Sequence, residues 1–189
     1  MPTTNPWLAG AGDDRLLERL ELEERILNLL SSQNMAVVAT TRPDGAPAAT
    51  PVRYYHLGFE VIYSSWNQSP KSRNLARDPR VSVGIFAPLV GHASSRGAQL
   101  FGHARTLERD HPDADTYWEA FRWQSDHAER GRALTQPPTD PLTVITPERI
   151  VYTEHWLKRA GYRPRQIWRR LVGERGGEQG LLDLAEWNG

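Results

Sequence analysis

The chain has 189 residues, 39% of them hydrophobic and 24% charged. That length suits one domain with its own core, and the composition is ordinary for a soluble globular protein. The 23 basic and 23 acidic residues cancel, and there is no cysteine. Neutrality argues against a general nucleic-acid-binding surface or a polybasic membrane patch, and the lack of cysteine excludes disulfides and thiolate metal sites. Because no apolar run is long enough to cross a membrane and no secretory signal begins the chain, we expect a cytoplasmic protein.

The N-terminal part is predicted to be a loose segment followed by a helix. Residues 1–12 are rich in Pro, Gly and Thr, so we expect them to be flexible. From Asp13 to Ser32, apolar residues recur at the spacing of one helical face, after acidic residues that suit a first turn. The apolar residues of this face are Leu16, Leu17, Leu20, Ile26, Leu27 and Leu30.

Short β-rich runs separated by turns follow from Met35 to Phe86. The turns at Asp44-Gly45 and Leu57-Gly58 separate the first three runs and predict two successive hairpins. A further strand begins near Gly97, and a last strand or broken pair is predicted within residues 142–155.

The remaining elements are a helix and a tail. A helix is predicted over residues 114–130, and its acidic start suits that end of the helix dipole. Frequent turns and few crossover helices favour a small antiparallel barrel over a parallel sheet. We therefore expect a mainly β (α+β) domain over residues 13–155. The C-terminal tail, residues 156–189, is expected to pack on a partner subunit or to be partly disordered.

Two cations stand at the start of a short predicted helix. Ser69 is a good N-cap, Pro70 suits the first helical position and Asp78 ends the helix, so Lys71 and Arg73 fall in its first turn. A cation at that end of a helix costs about 0.3–1 kcal/mol, whereas the same end with added cations attracts a phosphate. We predict an anion-binding site here; the alternative is a solvated turn with two surface cations.

The same segment resembles a known family. Lys71-Ser72-Arg73-Asn74-Leu75, followed by Asp78-Pro79-Arg80-Val81 and a Gly102-x-Ala104 step in the next strand, resembles the FMN-binding split-barrel proteins related to pyridoxamine 5'-phosphate oxidase. The resemblance spans residues 30–108 and is weaker as far as His155. It implies a six-stranded antiparallel split β-barrel with flanking helices. It also implies a homodimer with two flavin sites at the subunit interface. FMN is the commonest cofactor of such proteins, and some branches use a deazaflavin coenzyme or haem.

The resemblance also implies which residues bind the cofactor. Basic and hydroxyl side chains would contact the phosphate or ribityl chain, and backbone or strand positions would lie along the flavin ring. The residues expected at the phosphate or ribityl chain are Arg53, Ser64, Ser65, Lys71, Ser72 and Arg73, and those expected along the ring are Tyr54, Tyr55 and Gln99. Apart from the resemblance, Trp168 is a candidate to cover the ring.

Some of these assignments have alternatives. The oxidase proper has a glutamine where this chain has Gly97, and Gln99 shares that strand face by period-two alternation. Arg53 could be an ordinary barrel residue stacked on a tyrosine. Trp168 could pack in the core or at an interface instead of covering the ring.

No catalytic side chain is expected, because the flavin would carry the chemistry. The six histidines lack the spacing of a metal site, so no metal is expected. Haem is not expected either, although His155 would be its candidate axial ligand by resemblance.

The expected function is therefore an FMN-dependent oxidoreductase acting on a small molecule. The alternatives are a reductase that uses the deazaflavin coenzyme and a non-catalytic flavin-binding protein. Activity on pyridoxine phosphate is not expected, because the C-terminal segment lacks the Arg and His pattern of the oxidase proper.

Overall fold

The computed structural model describes residues 15–88, 95–120 and 140–171, which form one antiparallel sheet with flanking helices. The two α-helices with described ends are α1 (Arg19–Ser32) and α2 (Pro70–Arg77). A third helix begins at Ala114 and is described as far as Ala120, and a 3-10 helix spans His155–Ala160. The eight strands are β1 (Met35–Thr41), β2 (Pro47–Arg53), β3 (Tyr55–Leu57), β4 (Glu60–Ser64), β5 (Arg80–Ala87), β6 (Arg96–Leu107), β7 (Leu142–Glu154) and β8 (Arg165–Arg169).

The expected mainly β fold is confirmed, and the described residues form eight paired strands where six were expected. The order across the sheet is β2-β1-β5-β6-β7-β4-β3, and β8 pairs with β7. One added strand, β3, comes from a break at Tyr54 in a run that we predicted as a single strand. The other, β8, lies within the segment that we predicted as a tail.

The break at Tyr54 moves the chain from one part of the sheet to another. Before it, β2 pairs with β1, and Arg53 lies opposite Met35. After it, β3 pairs with β4, and Tyr55 lies opposite Ile62. The Tyr54 N–H donates to the Asn34 carbonyl at 3.0 Å, and its hydroxyl donates to the Leu30 carbonyl at 2.7 Å. A buried tyrosine therefore fixes the junction to the end of α1.

The main core lies between α1 and the inner face of the sheet. The buried side of α1 consists of Leu22, Ile26, Leu29 and Leu30. Alternating strand residues such as Val38, Ile85 and Leu100 face it from β1, β5 and β6. Burying each such side chain stabilises the fold by about 1.5–3 kcal/mol, so this contact holds α1 against the sheet.

Helix α1 begins later than predicted, at Arg19 and not at Asp13. The chain before it is extended because it pairs with a distant segment. The Arg15 N–H donates to the Gly161 carbonyl at 3.4 Å, and the Arg163 N–H donates to the Arg15 carbonyl at 2.9 Å. These tertiary bonds override the local helical pattern.

Part of the predicted tail belongs to the sheet. Strand β8 alternates exposed and buried residues, and its two buried members are Gln166 and Trp168. The Gln166 side-chain oxygen accepts from the Leu17 N–H at 3.1 Å. Residues 1–12, 121–130 and 172–189 lie outside the described residues, as does most of the loop after Ala87.

Candidate cofactor-binding site

Helix α2 forms as the sequence predicts. Ser69 caps it, since its side-chain oxygen accepts from the Ser72 N–H at 3.3 Å, and Pro70 takes the first helical position. Asp78 ends the helix in an extended conformation before Pro79. Lys71 and Arg73 therefore lie in the first turn. The Arg73 N–H donates to the Ser69 carbonyl at 3.0 Å, so the Lys71 N–H is the donor of this turn that the described residues leave for a ligand.

The middle of α2 is anchored to the barrel. The buried Asn74 side chain donates to the buried Thr40 hydroxyl on β1 at 3.0 Å. Leu75, next along the chain, is buried in the main core. Near the end of the helix, the Arg77 guanidinium donates to the Thr41 carbonyl. These contacts hold the first turn at a fixed place beside β1, and Asn74 had no role in the sequence prediction.

Three serine hydroxyls meet at the start of α2, and we call them the serine cluster: Ser65, Ser69 and Ser72. The Oγ atoms of Ser69 and Ser72 are 2.8 Å apart, and the Ser65 Oγ lies 3.1 Å from Ser69 and 3.2 Å from Ser72. Each hydroxyl can donate one hydrogen bond and accept two. The cluster can therefore redirect a hydroxyl proton toward a bound oxyanion.

Ser64 does not join this cluster. Its hydroxyl donates to the Asp140 carbonyl at 3.4 Å, on the side where β4 pairs with β7. Of the two strand-end serines predicted to contact phosphate or ribityl, the structure therefore brings only Ser65 to the helix start. Ser69, which the sequence analysis treated only as a cap, is the third member.

Lys71 is half-buried beside the cluster, and this burial lowers the pKa of its ammonium group. Within residues 15–88, 95–120 and 140–171, the Lys71 side chain forms no ion pair or hydrogen bond. A partly desolvated cation without a carboxylate is unfavourable by itself. The helix start therefore carries positive charge that the described part of the chain does not neutralise.

The junction between β2 and β3 runs toward the same end of the barrel. Because Tyr55 pairs with Ile62, the chain before Tyr55 and the chain after Ile62 leave this hairpin at the same end. Arg53 is exposed there, whereas the rings of Tyr54 and Tyr55 are buried. Only the backbone of these two tyrosines can face a bound molecule.

Two predicted residues lie away from the serine cluster. Gln99 is exposed on β6, opposite Gly84 of β5 and Val151 of β7. Trp168 is only 3% exposed, and its indole N–H donates to Glu23 of α1 at 2.7 Å. Its ring also lies 4.7 Å from that of Phe59. Trp168 is thus a core residue of this chain.

Comparison with known proteins places this geometry in a family. A family model for pyridoxamine 5'-phosphate oxidase matches residues 22–154, which is more than half of the chain. The chain belongs to the pyridoxamine 5'-phosphate oxidase family. The resemblance seen in the sequence is thereby confirmed, and the match includes all of α2 and the serine cluster.

Solved structures share the split-barrel fold. The conserved hypothetical protein Rv2991 from Mycobacterium tuberculosis is 19% identical, the match covers 88% of this chain and 97% of that one, and the TM-score is 0.61. A heme-binding protein from Mycobacterium smegmatis is 22% identical over 81% of this chain and 60% of its own, with a TM-score of 0.62. An F420 reductase is 22% identical over 65% and 93%, with a TM-score of 0.50. At such identities these structures establish the fold alone.

The structure explains the glycine in the family-like Gly102-x-Ala104 step. A Cβ on Gly102 would overlap the Thr146 carbonyl oxygen, so only glycine permits this approach of β6 and β7. The Ala104 N–H donates to the Pro79 carbonyl at 2.8 Å. Two stretches that are separate in the sequence therefore meet in this family member just after α2.

The described residues give no support for a membrane span or a metal site. No helix in residues 15–88, 95–120 or 140–171 is long and apolar enough to cross a membrane. The same residues contain no group of three His, Asp or Glu side chains that could hold a metal ion. His155 is exposed at the start of the 3-10 helix.

Proposed function

We propose that the chain is an FMN-dependent oxidoreductase that acts on a small molecule. The observation that carries this proposal is the first turn of α2, where a half-buried Lys71 without a carboxylate partner in the described residues lies next to three mutually bonded serine hydroxyls. A flavin phosphate is the kind of anion that such a site fits, since it accepts several charge-assisted hydrogen bonds.

The residues present fit the phosphate end of FMN. Lys71 would act as a point charge, and Ser65 and Ser72 would donate hydroxyl hydrogen bonds. The Lys71 N–H would add a backbone donor, since Pro70 has none and the Ser72 and Arg73 N–H groups already bond to Ser69. The positive end of the helix dipole would add to the attraction. Arg53 and Arg73, both exposed cations, would add charge at the rim. The buried anchors Asn74 and Leu75 keep these groups in place, so little ordering is needed on binding.

Other residues of the chain would orient the flavin ring. The backbone at Tyr54 and Tyr55 would lie along one side of the ring, while their rings stay in the core. Gln99 would contact the ring at an interface between two copies of the chain, because it lies on an exposed sheet face. Trp168 is left out of the proposed site, since its ring is buried. FMN, when bound, supplies the hydride or electron transfer, and no side chain is required as a nucleophile.

The absorption spectrum of the purified protein tests this proposal. We expect a yellow protein, or one that binds added FMN with quenching of the flavin fluorescence and sediments as a homodimer. A colourless protein that leaves FMN fluorescence unchanged would refute the proposal.

Two further measurements separate the alternatives. Parallel titrations with FMN and with the deazaflavin coenzyme F420 give the preferred cofactor, because both carry a phosphate at the same place on the side chain and the phosphate site does not distinguish them. NAD(P)H oxidation with a set of electron acceptors then distinguishes an enzyme from a flavin-binding protein without turnover. We expect no efficient oxidation of pyridoxine phosphate.

A further inference from the structure

A second cationic site lies on the outer side of the sheet, past the C-terminal end of α2. It is a cleft of about 410 Å³ between β5, β6, β7 and β8. The residues that line it include three arginines, Arg80, Arg149 and Arg169, together with Phe101 and one carboxylate, Glu148. We call it the arginine cleft.

Strand register places these residues side by side. Phe101 of β6 pairs with Arg149 of β7, which pairs with Arg169 of β8. Two residues after Phe101 on β6, His103 pairs with Arg80 of β5. A register shift next to Gly102 interrupts the β6–β7 ladder at this point. Such bulges re-aim side chains and occur often beside functional sites.

The charges in the cleft are only partly compensated. The Arg80 guanidinium is bonded to the Asp78 carboxylate at 2.7 and 2.9 Å, and Glu148 lies 2.9 Å from His103. Arg149 stacks over the Phe101 ring at 4.2 Å. In the described part of the chain, neither Arg149 nor Arg169 forms an ion pair with a carboxylate. Two guanidinium groups therefore line one small space without a bonded carboxylate among the described residues, although the Glu148 carboxylate lines the same cleft beside His103.

The geometry points to a binding site for a small dianion, a phosphate or a dicarboxylate, between Arg149 and Arg169. Guanidinium forks bind both classes in a bidentate manner. Stacking on Phe101 holds Arg149 in place, which lowers the entropy lost when its fork binds an anion. The apolar floor of Phe101 and Val81 weakens competition from water.

This site is separate from the one proposed for FMN. Lys71 is at the start of α2 and Arg80 follows its end, and eight helical residues span about 12 Å. No residue belongs to both sites. The inference therefore does not rest on the proposed function, and each can fail without the other.

The test measures anion binding in four proteins: wild type, Arg149→Gln, Arg169→Gln and Arg165→Gln. Arg165 is the matched control, since it is exposed on the same strand and the same face as Arg169 but four residues away, about 13 Å. Each protein is titrated with sodium phosphate and with sodium succinate at constant ionic strength, by calorimetry and by thermal unfolding. We expect both cleft variants to weaken binding about tenfold or more, and Arg165→Gln to change it less than twofold.

Lys71→Ala identifies any phosphate bound at the start of α2. Anion binding that is retained in Lys71→Ala and lost in Arg169→Gln takes place in the arginine cleft. A response to only one of the two anions shows whether the cleft binds phosphate or a dicarboxylate. The inference is overturned if neither anion binds, or if all four proteins respond equally. It is also overturned if Arg169→Gln changes only the association state in sedimentation, because the cleft would then hold carboxylates of a second copy.

Discussion

The cations at the two ends of helix α2 differ in their partners. At the C-terminal end every cation has a partner within the chain: Arg77 donates to the Thr41 carbonyl, and Arg80 binds both carboxylate oxygens of Asp78. At the N-terminal end, Lys71 is half-buried beside three hydroxyls and has no such partner among the described residues.

This difference separates charges that shape the fold from charges that remain for a ligand. A cation near a helix C-terminus is favourable, and a carboxylate beside it is optional. A cation at the N-terminus is unfavourable unless an anion joins it. A bound anion would therefore stabilise the protein most at the N-terminal end of α2.

The largest expected effect comes from removing the helix anchor that both ends share. Leu75 is 7% exposed within the main core, and Leu75→Ala should lower the free energy of unfolding by about 2–5 kcal/mol, through lost burial and a residual cavity. Urea unfolding measures this. The exposed neighbour Arg73→Ala is the control and should stay within about 0.5 kcal/mol of wild type; a similar loss in both would mean that α2 does not depend on its core contact.

The second effect acts on binding alone. Lys71→Ala should weaken FMN binding by about 1.5–3 kcal/mol, or roughly 10–150-fold, because a charged hydrogen bond to phosphate is lost. The free energy of unfolding should not fall, since the Lys71 side chain forms no hydrogen bond or ion pair within the described residues. Fluorescence titration and urea unfolding of the same preparation measure the two quantities.

Lys158, the chain's other lysine, gives the matched control for this prediction. It lies in the 3-10 helix, and Lys158→Ala should bind FMN as wild type does. Lys71→Arg should keep most of the affinity, because it keeps the charge. Wild-type FMN affinity in Lys71→Ala would show that Lys71 does not bind the phosphate.

The third effect concerns the serine cluster. Ser69→Ala removes the N-cap and one hydroxyl of the cluster, so it should lower the free energy of unfolding by about 1 kcal/mol and also weaken FMN binding. Ser64→Ala is the comparison, because the Ser64 hydroxyl is directed to Asp140. If the two variants bound FMN equally well, the cluster would have only a structural role.

Much of the difference between the two ends of α2 could be predicted from the sequence, because helix caps and helix ends depend on residues that are close together in the chain. Ser69, Pro70 and Asp78 fixed the bounds of α2, and Lys71 then followed by position. The membership of the cluster was harder to predict: Ser65 joins it and Ser64 does not, since one residue decides which side of the strand end a hydroxyl faces.

The sequence prediction failed where tertiary contacts override local pattern. Strand β8 was missed because one of its two buried residues is a glutamine, Gln166, whose partner is the distant Leu17 N–H. Trp168 was assigned to the ring because its residue type alone does not distinguish a core from a site. Asn74 was missed because its bond to Thr40 crosses 34 positions of the chain.

The smallest effect is expected at the paired end of α2, and only in acid. Arg80 lowers the pKa of the Asp78 carboxyl from 3.8 to about 2 through hydrogen bonds and charge. A carboxyl whose pKa is lower in the folded state than in the unfolded state stabilises the protein at any pH above its unfolded-state pKa. That contribution is lost as the pH falls from about 4 through about 2.

Asp78→Asn should therefore differ from wild type in the free energy of unfolding, measured in urea, at pH 6, and the difference should shrink as the pH approaches 2. Arg80→Gln should reduce the same pH dependence without abolishing it, because the backbone N–H of residue 80 still donates to Asp78. High salt should reduce it as well, because the Arg80 side chain is exposed. A difference that stayed constant with pH would mean that the carboxylate charge of Asp78 contributes nothing at this end of the helix.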